Sequence, residues 1–143
     1  MNLEDIPPPP RQSKLRLIRE FLRLNGTQQD IDTPMFLDGL VQKVCASLPR
    51  DTRYGEALSS GLSALKTAYE TRRHIWQEEY EHHVDQEFTE DELEAIVTFL
   101  ESSAGSHFVW GIRRMDVHVR TNTEPFVDEI VAEASASVSR SAT

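Results

Sequence analysis

The stretch that decides the fold is Phe88-Thr89-Glu90-Asp91-Glu92-Leu93-Glu94-Ala95-Ile96-Val97-Thr98-Phe99-Leu100-Glu101-Ser102-Ser103-Ala104-Gly105. Thr89 is spaced to accept from the backbone N–H three residues on, and Glu92 to reach back to the N–H of Thr89, which is the reciprocal arrangement of a capping box. Phe88 and Leu93 stand at the spacing of a hydrophobic staple across that cap. Glu90, Asp91 and Glu92 in the first turn oppose the positive end of the helix dipole. The spacing therefore predicts a helix over 90–102, stopped at 102–105 by a segment whose Gly105 is free to take φ > 0.

The same local rules extend towards the amino terminus. Between Gln12 and Leu24 the residues Leu15, Leu17, Ile18, Phe21, Leu22 and Leu24 cover half a helical wheel, with Arg16, Arg19 and Arg23 opposite, and Asn25-Gly26 supplies a stop. Residues 27–32 read as a short turn. Thr33 before Pro34 reads as the cap and first-position proline of a second helix carrying Leu37, Leu40, Val41, Val44 and Leu48, ended by Pro49. From Arg50 to Glu87 the pattern stays helical, with Leu58, Leu62, Leu65, Tyr69, Trp76 and His83 near one face; Gly55 and Gly61, each about 1 kcal/mol worse than alanine in a helix, predict a break or bend there. A further helix begins near Ser106 with Phe108, Ile112 and Met115 inward, and Pro125 kinks it or opens a separate terminal helix. No strand-like alternation survives beyond a few residues. The expectation is an all-α, single-domain bundle of five to six amphipathic helices, divided into a proline-rich flexible arm over 1–11, a helical domain over 12–133 and a fraying tail over 134–143.

Composition narrows the class of function. A chain of 143 residues with 38% hydrophobic and 27% charged residues forms an ordinary globular core, and the net charge of −9 opposes a nucleic-acid backbone as partner. Cys45 is the lone cysteine, so no intrachain disulfide forms; on the apolar stripe of the second helix it reads as a small buried hydrophobe. No apolar run reaches the roughly 18 residues that a transmembrane helix requires. The acidic, proline-rich start lacks the basic and apolar regions of a secretion signal, so the sequence as written reads as cytoplasmic, and as periplasmic or exported if a signal lies upstream.

Charge is unevenly distributed. Arg11, Lys14, Arg16, Arg19 and Arg23 surround a lone Glu20, whereas no Lys or Arg stands between Arg73 and Arg113, an interval holding ten acids from Glu78 to Glu101. Two outcomes are open: the basic helix lies beside the acidic segment of its own subunit, or it reaches that segment in a second copy.

Groups able to do chemistry are sparse. Glu79-x-x-His82 puts a carboxylate and an imidazole on one helical face, but di-metal bundles repeat that unit on a second helix and this chain has one copy. His82 or His83 with distant His107 or His118 has no zinc-like spacing. The bland reading packs His83 beside Trp76 and leaves the acids in solvent. Ser102 and Ser103 belong to a helix stop and Ser106 to a cap; no Gly-x-Ser-x-Gly elbow occurs, and the glycines are too scattered for a phosphate loop.

The segment from Thr89 through Phe99, Ser102, Ser103 and Gly105 to Phe108, together with Leu17–Leu24 and its Asn25-Gly26-Thr27 stop, resembles the bacterial domain-of-unknown-function family 2059 over most of 14–131. Leu100 stands where that family usually has an aromatic and Ala104 where it has proline. The resemblance implies a small all-helical module, commonly exported, with no established activity and no catalytic residues to transfer.

The expected function is a non-enzymatic interaction or accessory module, without cofactor, that takes a protein or peptide partner between apolar faces around the 88–108 hairpin, with a homodimer as one form of partnership. Two alternatives stand beside it. One is a metal- or small-ligand-binding protein using His82 and His83. The other is a peripheral membrane-surface protein docking through the arginine-edged helix 12–24.

Overall fold

In a computed structural model of the chain, which describes residues 8–142, every regular element is an α-helix. Six helices belong to one compact unit: α1 (Gln12–Leu24), α2 (Thr27–Asp32), α3 (Phe36–Cys45), α4 (Tyr54–Glu70), α5 (Arg73–Glu87) and α6 (Glu90–Glu101). The remaining helix, α7 (Ser103–Ser141), is a unit of its own, the division falling between Ser102 and Ser103. The all-α bundle of five to six helices is as expected, six helices making up the first unit. A continuous helix contains no turn with which to fold on itself, so the stretch after Ser102 forms no layer of its own. Residues 1–7 of the proline-rich arm lie outside the described residues, and residues 8–11 precede α1 without regular structure.

The core of the first unit joins α1, α5 and α6. Ile18, Leu22, Val84 and Leu93 are buried together, with Leu17, Phe21 and Phe88 packed against them. Fully burying Ile18, Leu22 and Leu93 contributes roughly 2 kcal/mol each by the area removed from water. The Thr89 half of the cap read from the sequence forms: Thr89 is extended and its hydroxyl accepts from the Glu92 N–H at 3.2 Å. Phe88 acts as the staple from the same cluster as Leu93, its ring 5.7 Å from that of Phe21. Lys14 pairs with Asp85 at 2.8 Å and Arg19 with Glu81 at 2.9 Å, so the basic helix lies beside the acidic segment of its own subunit.

Gly26, at φ 84°, is the one described residue with positive φ, and it ends α1 as its position predicts. The Asn25 side chain accepts from the Thr27 N–H at 2.9 Å, and residues 27–32 become a short helix rather than a bare turn. Thr33 does not cap α3. Its hydroxyl donates to the Gln29 carbonyl at 2.9 Å and closes α2, because the following proline forces Thr33 out of the helical region (φ −136°, ψ 74°) and delays the next helix to Phe36.

The predicted break at Gly55 or Gly61 also lies elsewhere. α4 runs through both glycines, and the interruption comes at Thr71 and Arg72. A Cβ on Gly61 would stand 3.2 Å from Cys45 Sγ and 3.4 Å from Val41 Cγ2, so this glycine serves the close approach of α3 and α4 rather than a bend. Cys45 is half-buried, its thiol donating to the Ala57 carbonyl at 3.2 Å, not fully enclosed as its stripe position predicts.

Gly105 likewise takes no positive φ. Ser102, extended at φ −70° and ψ 159°, ends α6, and α7 begins at once. α7 continues past Pro125 as one element and past the start of the expected frayed tail at Ala134. Proline removes a single ladder donor there, while Thr121 and Thr123 donate their hydroxyls to the carbonyls of Val117 and Val119 in the preceding turns. Ala134 and Ala136 favour helix, and no breaker follows them.

Candidate functional site

A concavity of the first unit is assembled where α2 ends, α3 begins and α4 passes beside them. It has a volume of about 320 Å³. Pro34, Met35, Leu37 and Tyr69 provide apolar lining, and Asp32, Asp38, Lys66 and Glu70 provide charge. Local chemistry explains the shape: Thr33-Pro34 interrupts the helix, and the short connection leaves Met35 82% exposed at the mouth.

Tyr69 organises the floor. Its hydroxyl donates to the carbonyl of Ile31, and burial raises the phenol above its usual range, with Arg73 opposing that shift. Its ring meets Trp76 edge-on at 5.2 Å and Phe36 edge-on at 5.9 Å, while Phe36 and Trp76 stack at 5.9 Å. These spacings are direct ring contacts, so the three aromatics form a filled wall and not an open cage for a cation. Beside them Arg73 pairs with Asp32 at 2.6 Å and Glu70 at 3.5 Å, which fixes the cleft's acidic edge. Such a site holds an apolar side chain beside a polar group.

The positions singled out in the sequence go elsewhere. His83 does not pack beside Trp76: its side chain is 73% exposed, with Nε2 3.3 Å from Glu79, and its ring touches only its neighbour His82 at 5.3 Å among the ring contacts seen. No group of three or more His, Cys, Asp or Glu side chains among the described residues is arranged to hold a metal ion. The helix 12–24 turns Ile18 and Leu22 into the core. Phe88 is turned into the same core, which removes it from the apolar binding face expected around 88–108. Among the described residues no helix is long and apolar enough to cross a membrane.

Residues 32–38 were not marked as a site by their sequence. The available signal was the adjacent pair Met35-Phe36 just after a helix-breaking Thr33-Pro34, too large and apolar for an ordinary solvated turn. No family model matches the chain, and no curated protein or solved structure matches it either.

Proposed function

We propose that this chain is a non-enzymatic helical interaction module that takes a protein or peptide partner. The observation that carries the reading is the cleft of about 320 Å³ with Met35 and Phe36 exposed beside it. Its volume suits one large apolar side chain of a partner segment, and Asp38 and Glu70 at its edge favour a neighbouring basic residue.

A random-peptide phage library selected against the purified chain tests this. Selected peptides carry a large apolar residue next to Lys or Arg, and they lose binding to Met35→Asp and to Asp38→Lys. Peptides that bind these variants as well as they bind the original chain, or an absence of selection, would remove the reading.

A further inference from the structure

We infer that α7 pairs antiparallel with α7 of a second copy of this chain. The inference stands on the second unit alone and is independent of the cleft. Phe108, Ile112, Met115, Val119 and Phe126 fall at intervals of four, three, four and seven residues, the seam of a coiled coil with Asn122 at the intermediate position. The next seam positions are Glu129 and Glu133, and Ile130 flanks them on the same face one turn on from Phe126. The apolar side chains of this face are exposed, Ile112 least at 41% and Ile130 most at 65%. The helix that displays them is rich in β-branched residues and contains Pro125, so its intrinsic propensity is poor and its stability must come from covering this row.

Charge selects both the occupant and its direction. From Arg113 to Arg120 there are three arginines against Asp116, whereas from Glu124 to Glu133 there are four acids and no base. Parallel pairing would set acidic half on acidic half and bring Glu133, which lies on the seam, against its own counterpart. Antiparallel pairing instead sets the acidic stretch 124–133 on residues 105–114 of the other copy, where Arg113 of the partner subunit and Arg114 of the partner subunit stand. Centred on Val119, it brings Phe108 level with Ile130 of the partner subunit and Ile112 level with Phe126 of the partner subunit. It also carries Glu133 towards the amino-terminal end of the other helix, where the dipole is positive. Most of the charges flank or back the seam, so they act as a field that fixes orientation more than as contact pairs. A helix of 39 residues is about 58 Å long. Centred on Val119, the copies overlap over 103–135, about 50 Å, and a stripe of that length and roughly 10 Å width buries roughly 1,000 Å² over both copies, the size at which a specific interface begins.

Sedimentation equilibrium of the full chain, with circular dichroism alongside, tests the pairing. The expected result is a dimer below about 100 µM that Val119→Asp converts to a monomer. Orientation is read in a Cys45→Ala background by mixing a Phe108→Cys copy with an Ile130→Cys copy under mild oxidation: antiparallel pairing gives the mixed disulfide dimer in excess over either self-linked dimer. This second measurement does not depend on the folding of the Val119→Asp chain. A monomer at all these concentrations, a dimer indifferent to Val119→Asp, preferential self-linking of Phe108→Cys, or a monomer that instead sediments with phosphatidylserine vesicles would each overturn the inference.

Discussion

The hydroxyl of Tyr69 in α4 donates to the main-chain carbonyl of Ile31 in α2, across 38 residues of sequence. A six-residue helix leaves most of its carbonyls without intrahelical donors, and this one is satisfied from another element while both residues are buried. Tyr69→Phe keeps the ring contacts and strands that carbonyl, so it lowers stability by about 1–2 kcal/mol in urea unfolding. The same variant changes the pH dependence. Because burial raises the folded phenol's pKa above its ordinary value, the unfolded chain loses its proton first; the contribution is whole below the unfolded value and is lost as pH rises towards the folded one. Melting curves from pH 8 to 11, a span chosen to bracket roughly that range, show a steeper alkaline fall for the original chain than for Tyr69→Phe.

Thr89 is the cap of α6, and its removal leaves the Glu92 N–H without its acceptor. Thr89→Ala costs about 1 kcal/mol, while Thr89→Ser and Thr89→Asp stay within about 0.5 kcal/mol of the original. Equal denaturation midpoints for the alanine and serine variants would show that the cap contributes nothing.

The two glycines of α4 should respond oppositely to alanine. Nothing lies within 4 Å of a Cβ on Gly55, so Gly55→Ala raises stability by roughly 0.5–1 kcal/mol through helix propensity. Gly61→Ala presses on a thiol held by its bond to the Ala57 carbonyl and on Val41, and lowers stability instead. Adding Cys45→Ala to Gly61→Ala makes room and recovers part of the loss, a coupling that a double-mutant cycle measures.

The two ion pairs that bind α1 to α5 differ in burial. Lys14 and Asp85 are 17% and 11% exposed, and Lys14 also donates to the Asp85 carbonyl at 2.8 Å; Arg19, in its pair with Glu81, is 61% exposed. Lys14→Met is expected to cost about 1.5 kcal/mol, much of it still present at high salt. Arg19→Met costs under about 0.5 kcal/mol, and salt erases it.

Features set within one or two helical turns could be read directly from the residues. Asn25-Gly26 stops α1 and Thr89 starts α6 because sterics and one short hydrogen bond settle each case, whatever lies elsewhere in the chain. Phe108, Ile112 and Met115, expected to turn inward from the same spacing, are exposed on α7. What covers such a row is not local. Leu58, Leu62 and Leu65 share an apolar face, yet Ala57, Gly61 and Tyr69 are the buried residues of α4, because a small side chain and a glycine let α3 come close. The break at Thr71 and Arg72 carries no strong local signal; it turns the chain so that Trp76 of α5 meets Tyr69 of α4 and Phe36 of α3. The cleft at 32–38 follows from that meeting. Spacing and caps dictate which residues become helix, because those interactions close over three or four residues. Only tertiary packing decides which faces are spent on the core and which stay exposed, since that choice depends on side chains brought together from dozens of residues apart.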